Sequence, residues 1–347
     1  MQALSPPSVY LALSMTLNGA DGETKEAMLK ALSAQGITLE ELNKGLAVWM
    51  NSLNQDSEVK LNIANSIWVR DDFEVDQDFL QTNGDYYQAG TVSLDFSDPK
   101  APELINKWVE LKTEGTIDKI IEEIREDMVM YLINAIYFNG DWKDQFDPND
   151  THDRTFYAPQ GEVNTPFMKR SANMEYFERD GVTGVVLPYL DERFAFVGIL
   201  PKEGEDPRAF IKNTSATQIQ ELINKKEIKH TDLYLPKFES DFEDELKDEL
   251  STLGMGIAFD PNQADFSLMN KARAKNLVIS EVKHKTFVKV DEKGTEASAV
   301  TSVGMRLTSM PLEENKVIFD RPFIYAIMDW ETNSPVFIGI MEDPTAK

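Results

Sequence analysis

The sequence predicts an α+β fold in which helices and strands occupy different parts of the chain. Helical patterns dominate the first third of the 347 residues, and short strand patterns dominate the remaining two thirds. No internal repeat, flexible linker or low-complexity tract divides the chain. Runs of helices followed by runs of strands favour an α+β fold over alternating βαβ units.

The helical stretches carry apolar residues at helical spacing, and the first begins at a recognisable start signal. Ser5-Pro6 is typical of a helix N-terminus, because proline is tolerated in the first turn. The stretch 102–124 breaks at Gly115 and is predicted to resume as a helix beyond it. The predicted helices cover residues 5–32 with a break at 18–22, 39–53, 102–124, 216–224 and 244–253.

The strand patterns are runs of β-branched and aromatic residues between turn residues. The run 128–138 is long and mostly apolar, which predicts a strand buried on both faces. The clearest predicted strands cover residues 59–69, 128–138, 181–188, 194–201, 231–238, 277–282, 286–290, 317–319, 323–329 and 336–341.

Composition excludes several classes of function. Acidic residues number 60 and basic residues 35, so the formal charge is −25, which repels nucleic acids and anionic membranes. The chain has no cysteine, which excludes disulfides, thiolate metal sites and a cysteine nucleophile. No apolar run approaches the ~18 residues of a spanning helix, and residues 1–8 show no signal-peptide pattern.

The motifs of common enzymes are also absent from the sequence. It contains no G-x-S-x-G, H-E-x-x-H, P-loop or dinucleotide-binding motif. The three histidines, His152, His230 and His284, are far apart and have no metal-ligand spacing. For His284 a hydrogen-bonded structural role is favoured over a catalytic one. We therefore expect a binding or regulatory protein, with no metal or other cofactor, rather than an enzyme.

One stretch, residues 291–310, alternates with a period of two from Thr295 onward. The face that includes Thr295 and Leu307 carries no charge, and both charges lie on the opposite face. This is the pattern of a half-buried strand, yet the residues are small and polar, as in an exposed loop. Taken alone, the alternation leaves two interpretations open: a surface linker, or a segment that moves between loop and strand.

Together with other motifs, this stretch resembles a known family. Asp291-Glu-Lys-Gly-Thr-Glu-Ala-Ser-Ala299 is similar to the reactive-centre-loop hinge of inhibitory serpins. Further motifs match the family in order and spacing, so that the resemblance covers essentially the whole chain. They are Ser5-Pro-Pro-Ser8, Ile105-Asn-Lys-Trp108, Thr113-Glu-Gly-Thr-Ile117, Leu132-Ile-Asn-Ala-Ile-Tyr-Phe-Asn-Gly-Asp-Trp142, Leu235-Pro-Lys-Phe238, Val288–Glu292, Asp320-Arg-Pro-Phe323 and Ser334-Pro-Val-Phe-Ile-Gly339.

The resemblance implies a single serpin domain over residues 1–347, with helices packed on three mostly antiparallel or mixed β-sheets. A reactive-centre loop is expected at about 291–316, exposed on the surface. Only Met1-Gln-Ala-Leu4 precedes the Ser-Pro signal, so the first helix that family members normally carry is expected to be missing.

The resemblance further implies a serine protease inhibitor that acts as a suicide substrate. The protease cuts the loop, and insertion of the loop into a sheet traps the acyl-enzyme. Counting from Gly294 to the family's usual position places the cut bond at Thr308–Ser309, with Leu307 and Met310 as alternatives. Small or medium apolar residues favour an elastase-like or subtilisin-like protease. The alternative is a non-inhibitory serpin that acts as a carrier, storage protein or chaperone.

The resemblance assigns roles to three groups of residues. The group that forms the hinge is small or polar, as entry into a sheet requires, and comprises Glu292, Gly294, Thr295, Glu296, Ala297, Ser298 and Ala299. A polar cluster called the shutter, under the strands that open, comprises Ser5, Ser8, Asn134 and His284. Trp142 is expected at the breach, where the hinge enters the sheet.

The remaining expectations concern partners and location. The stretch 39–53 matches the helix that binds heparin in some members, but Lys44 is its only basic residue and lies beside Glu40 and Glu41. We therefore expect no heparin activation. The resemblance implies a secreted monomer, with loop–sheet polymers as a possible further form.

Overall fold

Two β-sheets and the helices packed on them form the regular structure of the computed structural model, which describes residues 2–54, 58–295 and 315–346. This confirms the α+β class. In the described residues, eight α-helices are present: α1 (Pro6–Leu17), α2 (Gly22–Ala31), α3 (Leu39–Leu53), α4 (Gln77–Tyr87), α5 (Ala101–Lys112), α6 (Pro207–Asn213), α7 (Ala216–Ile223) and α8 (Lys247–Leu250).

Most of the strands lie in the last two thirds of the chain. They are β1 (Gln2–Leu4), β2 (Lys60–Arg70), β3 (Gly90–Leu94), β4 (Met130–Asp141), β5 (His152–Ala158), β6 (Gly161–Arg179), β7 (Val182–Pro188), β8 (Phe194–Leu200), β9 (Glu227–Pro236), β10 (Phe238–Glu245), β11 (Lys283–Val290), β12 (Gly294–Thr295), β13 (Asn315–Ile318), β14 (Phe323–Asp329) and β15 (Ser334–Met341).

Hydrogen bonding divides the strands into a large and a small sheet. The large sheet has the order β1-β15-β14-β8-β7-β6-β9-β13, with β5 also paired to β6. The small sheet has the order β10-β11-β12-β4-β2-β3. Three sheets were expected, and the described residues form two. The reason is the length of β6, whose 19 residues pair with β5 near one end, with β7 near the other and with β9 between them.

The main core lies between the two sheets and includes the inner face of α1. Ser5 caps α1 by accepting a hydrogen bond from the Ser8 N–H, and Pro6 follows in the first turn, as the start signal predicts. Leu11, Leu13 and Met15 are all buried, so this helix is enclosed on more than one face. A second cluster buries the apolar face of α5 against the other side of the small sheet.

Strand β4 is buried on both faces over only part of its length. Residues 135–138 are buried in succession, whereas residues 130–134 alternate between buried and half-buried. The half-buried side chains of Met130, Leu132 and Asn134 line a cavity described below. The prediction of a strand buried on both faces is therefore confirmed only for 135–138.

The predicted continuation of a helix beyond Gly115 is wrong. Glu114 and Gly115 both have positive φ, and the chain reverses there. The Asn106 side chain then accepts the N–H groups of Ile120 and Ile121, both at 2.9 Å. The backbone of residues 120–121 is thus hydrogen-bonded to a side chain of α5 and does not form a helix.

Two further predictions needed correction near the small sheet. The helix predicted at 244–253 begins only at Lys247, because β10 continues to Glu245, and a π-helical turn at Ser251–Met255 follows α8 directly. The stretch 277–282 is not a strand, since the Ile279 N–H bonds to the Ala258 carbonyl and the Val282 N–H to the Glu245 carboxylate. Its apolar side chains pack against the main core instead.

Candidate functional site

The first residues of the predicted hinge form strand β12 between two long strands of the small sheet. Thr295 lies opposite Val290 of β11 and opposite Gly140 of β4, and Gly294 lies opposite Asp141. Both pairings are antiparallel. This described segment of the chain therefore ends at Thr295, in a short strand that lies within the sheet.

Glycine is required at position 294 by a close approach of backbones. A Cβ atom built there would lie 2.0 Å from the Gly140 carbonyl oxygen and 2.7 Å from the Asp141 Cα. Contacts under about 3 Å with backbone atoms cannot be relieved by a side-chain movement, so any side chain would separate β12 from β4.

A tight turn joins β11 to β12, and its carbonyl groups all accept hydrogen bonds. The Asp291 N–H donates to the Gly294 carbonyl at 3.0 Å. Trp142 donates its indole N–H to the Asp291 carbonyl at 2.9 Å and its backbone N–H to the Lys293 carbonyl at 2.7 Å. The Phe146 N–H donates to the Glu292 carbonyl at 2.9 Å. Donors that follow β4 therefore hold the hinge turn in place.

Trp142 and Tyr189 form the floor beneath this turn. The two rings stack with centroids 4.7 Å apart, and both side chains are almost fully buried. The Tyr189 hydroxyl is 2.6 Å from the Thr295 hydroxyl. Burial raises the pKa of Tyr189, so the phenol stays neutral. Trp142 was predicted from the sequence to lie at the breach, whereas Tyr189, which lies 106 residues before Thr295, was not predicted as a site residue.

The Glu292 carboxylate has two partners from other strands and loops. The Lys237 ammonium lies 2.8 Å from one oxygen, and the Thr151 hydroxyl donates to the other at 2.9 Å. Burial favours the neutral acid, but the hydrogen bonds from Lys237, the backbone and Thr151 outweigh it, so the pKa of Glu292 lies below its usual value. Lys237 and Thr151 were not singled out in the sequence.

Below β12, the part of the chain that the structure describes leaves a gap in the small sheet between β4 and β11, which we call the slot. Strand β4 pairs with β2 along one edge, and β11 pairs with β10 along one edge. Among residues 2–54, 58–295 and 315–346, no strand pairs with the facing edges of β4 over 130–139 and β11 over 283–289. These edges carry backbone groups available to another strand.

A cavity of about 350 Å³ lies at the end of the slot farther from β12. It is bounded by residues 130–134 of β4, the stretch 276–282 and α1 from Ser8 to Thr16. Three of the four predicted shutter residues, Ser8, Asn134 and His284, line it together. The structure thus brings together side chains separated by up to 276 positions in the chain.

His284 accepts a hydrogen bond from the Ser5 backbone N–H through Nε2, at 3.0 Å. The acceptor role of Nε2 places the proton of the neutral ring on Nδ1. Burial lowers the pKa of His284 to about 4, and the charge of Asp244 opposes that shift only in part. The ring is therefore neutral at pH 7, which is the state that this hydrogen bond needs.

Asn134 bonds to a different partner from the one expected for a single shutter network. Its Nδ2 donates to Asn65 Oδ1 at 2.8 Å, across the β2–β4 pairing. Its Oδ1 is buried and has no hydrogen-bond partner in the described part of the chain. Ser5 and His284 are thus joined to each other, and Asn134 is joined to β2.

The other predicted site residues lie outside the described residues. They are Glu296, Ala297, Ser298, Ala299, Thr308 and Ser309. Within the described ranges, no group of three or more potential metal-ligating side chains is clustered, and no helix is long and apolar enough to cross a membrane. The described site supplies backbone donors and acceptors along two strand edges, with Gly294 and Thr295 paired between them at one end.

Comparisons with known proteins agree with this geometry. The serpin (serine protease inhibitor) family model matches residues 2–344. An uncharacterized serpin-like protein of Thermococcus kodakarensis is 33% identical over 346 residues, which cover 98% of this chain and 80% of that protein. The alpha-1-antiproteinase of Rattus norvegicus is 31% identical over 352 residues, with 98% and 83% covered.

Solved structures give the same result. The thermophilic serpin tengpin in its native state is 41% identical with a TM-score of 0.91, and the match covers 99% of this chain and 88% of tengpin. A thyroxine-binding globulin in complex with thyroxine is 26% identical with a TM-score of 0.88, covering 99% and 93%. The fold is therefore the serpin fold, and the chain belongs to the serpin family.

Proposed function

We propose that this protein is a serine protease inhibitor that acts as a suicide substrate. The observation that carries the proposal is the position of β12, where Gly294 and Thr295 are already paired between β4 and β11 at the entrance of the slot. After cleavage near Thr308–Ser309, the loop would continue down the slot as a strand. The attached acyl-enzyme would be carried with it and distorted before deacylation.

The free energy available for insertion is large enough for this mechanism. Edge 130–139 of β4 offers about ten residues for pairing, and each new hydrogen bond contributes roughly 0.5–1.5 kcal/mol. The sum is on the order of 10 kcal/mol, which is comparable with the unfolding free energy of a whole domain. A loop that has not inserted is therefore metastable under this proposal.

The sequence of the loop suits a strand with one buried face. A charge on that face would cost several kcal/mol unless it were paired. Proline, which would remove a ladder hydrogen bond, does not occur between residues 295 and 310. The side chains of the proposed buried face are uncharged, and they are Thr295, Ala297, Ala299, Thr301, Val303, Met305 and Leu307.

The proposal also gives roles to the two ends of the slot. Trp142, with the hinge residues Glu292 to Ala299, would guide entry at the breach. Ser5, Ser8, Asn134 and His284 would form the shutter, where the unpartnered Asn134 Oδ1 becomes an acceptor for an inserted strand. The expansion of the sheet would therefore be completed at the cavity.

The proposed domain boundaries, target class, location and oligomeric state are those that membership of the serpin family implies. Residues 1–347 would form one domain, with the reactive-centre loop at about 291–316. The protein would be secreted, and its target would be a serine protease of elastase-like or subtilisin-like specificity. The protein would act as a monomer, and the open edges of the slot would also accept the loop of a second copy, which gives loop–sheet polymers.

Incubation with elastase-like, subtilisin-like and trypsin-like proteases tests the proposal. We expect a covalent complex that survives SDS with at least one of the first two. Thr295 is 2% exposed at the slot entrance, so Thr295→Arg should block insertion and convert the inhibitor into a substrate that is cut without complex formation. Thr295→Ser keeps the hydroxyl and is the matched control.

Complex formation by Thr295→Arg at the wild-type level would refute insertion at this entrance. A small-molecule carrier is the second candidate, because the chain resembles a thyroxine-binding globulin and holds a 350 Å³ cavity. Cleavage of the wild-type loop without any stable complex, together with saturable binding of an apolar ligand, would favour the carrier.

A further inference from the structure

Three basic side chains surround one tyrosine ring on the large sheet. The Arg154 guanidinium carbon lies 4.4 Å from the centroid of the Tyr234 ring. The Lys169 and Lys316 ammonium nitrogens lie 5.5 Å and 5.2 Å from the same centroid. We call these four residues the Tyr234 cluster. Each cation is attracted to the ring by its quadrupole, but the three like charges repel one another.

Four different strands build the Tyr234 cluster. Lys169 of β6 lies directly opposite Tyr234 of β9, and Lys316 of β13 lies opposite Asp232, two residues earlier on β9. Arg154 comes from β5, which pairs with the first part of β6. Lys316 is exposed and the other three side chains are half-buried, so the positive charge is accessible at the surface.

The cluster differs from other pairs of a lysine and an aromatic ring on the same sheet. Lys226 lies over the Trp330 ring and also pairs with Glu175 at 2.7 Å. Lys229 lies over the Tyr176 ring and also pairs with Glu227 at 3.7 Å, which is a second compensated case.

The cations of the Tyr234 cluster have no such compensation. In the described part of the chain, no carboxylate lies within ion-pair distance of Arg154, Lys169 or Lys316, and Asp232 makes no ion pair with its register partner. Among the described residues, three cations around one ring therefore lack a carboxylate partner, in a protein whose net charge is −25. Such local costs are expected where a partner relieves them.

The cluster lies close to the place where the reactive-centre loop rejoins the sheet. Lys316 is seven residues beyond Ser309, so covalent geometry limits its distance from the proposed cut bond to about 25 Å. A protease of about 250 residues has a radius of gyration of about 18 Å. A protease seated on that bond therefore lies within reach of Lys316.

We propose that Arg154, Lys169 and Lys316 form a docking surface for an acidic patch on the protease that attacks the loop. This inference rests on the proposed inhibitory function and adds a selectivity for the protease that the residues around the proposed cut bond, Thr308–Ser309, do not provide. An acidic patch in contact with the cluster lies within the Debye length of about 8 Å and senses the local positive charge. A long polyanion would instead extend over the negative remainder of the surface, where it is repelled.

The test uses binding of two subtilisin-like proteases, one acidic and one basic, each with its catalytic serine replaced by alanine. The cluster variant carries Arg154→Gln, Lys169→Gln and Lys316→Gln together. Its matched control carries Lys44→Gln, Lys107→Gln and Lys119→Gln, which changes the net charge equally at exposed ion pairs on other elements. Association rates are measured at 50 mM and 500 mM salt, about one decade of ionic strength.

We expect the cluster variant to bind the acidic protease about tenfold more slowly at low salt, with little difference at high salt. The control variant should differ from the wild type by less than about twofold, because exposed ion pairs contribute little. Binding of the basic protease should not fall in the cluster variant. Equal losses in the cluster and control variants would overturn the docking surface.

Complex formation with the active proteases separates the two proposals. If the cluster-dependent binding is found but no SDS-stable complex forms, the inhibitory function fails and the docking surface stands. If complexes form at the same rate in both variants, the docking surface fails and the inhibitory function stands. Heparin binding that requires the cluster, without any effect on protease binding, would also overturn the proposal.

Discussion

The two ends of the slot differ in how completely their polar groups are paired. At the hinge end, which comprises Trp142, Tyr189 and residues 291–295, the carbonyls of the turn accept hydrogen bonds and the hydroxyls of Tyr189 and Thr295 bond to each other. At the cavity end, near Asn134 and His284, the sheet encloses about 350 Å³ and one amide oxygen is left without a described partner.

The small sheet thus contains a paired strand, β12, at the hinge end and a cavity at the other end. At the hinge end, donors from a buried aromatic floor and from backbone groups next to β4 hold the turn in place. The cavity end is less densely packed, and unfilled space lowers the cost of separating its strands. Under the proposed mechanism, insertion of the loop would therefore start at the hinge end and finish at the cavity end.

The largest effect should come from forcing the hinge end open. Gly294→Val places side-chain atoms against the backbone of β4, so β12 must leave its position and lose the hydrogen bonds of the turn. We expect a loss of about 4 kcal/mol in the free energy of unfolding, of which about 3 kcal/mol comes from overpacking and about 1 kcal/mol from lost hydrogen bonding. Unfolding in guanidinium chloride measures it.

Gly45→Ala is the matched control, because a Cβ at this position of α3 meets no atom within 4 Å. Alanine is a better helix former than glycine, so the control should gain about 0.5–1 kcal/mol. A Gly294→Val protein as stable as the wild type would mean that β12 does not contribute to the stability of the hinge end.

A smaller effect should come from charging the cavity end. The pKa of His284 is about 4 in the folded protein, below its ordinary value of about 6.5. The unfolded chain therefore binds a proton more readily, and the stabilisation by neutral His284 is lost as the pH falls from about 6.5 toward 4. The contribution is about 3 kcal/mol between pH 7 and pH 4.

The variant His284→Gln separates the effect of His284 protonation on the unfolding free energy from the effect of carboxylates that titrate elsewhere. Its side-chain oxygen can still accept from the Ser5 N–H, but it does not take up a proton in this range. The difference in unfolding free energy between wild type and variant should shrink by about 3 kcal/mol from pH 7 to pH 4. A difference that stays constant with pH would contradict a depressed pKa.

The smallest effect should come from one hydrogen bond at the hinge end. Tyr189→Phe removes the hydroxyl that bonds to Thr295 and leaves the stacked ring in place. We expect a loss of about 1 kcal/mol in unfolding free energy, the usual value for one buried hydrogen bond. Tyr157→Phe, at a side chain that is 53% exposed, should change it by less than about 0.5 kcal/mol. Equal effects of the two substitutions would show that the Thr295 bond adds nothing.

Features that depend on neighbouring residues could be predicted from the sequence. The start of α1 at Ser5-Pro6 was predicted because capping and proline geometry involve adjacent positions only. Gly294 was predicted from the sequence as part of the hinge, and the structure adds the backbone contact that requires glycine at this position. The α+β class followed in the same way from the segregation of two periodicities.

Features that depend on pairing between distant strands required the folded structure. Tyr189 reaches Thr295 across 106 positions, and the Tyr234 cluster draws its cations from three other strands. A period of two shows which residues share a face, but it does not show which strand lies alongside or in which register. The merging of the expected three sheets into two through β6, the slot and the cavity all depend on that register, which long-range packing sets.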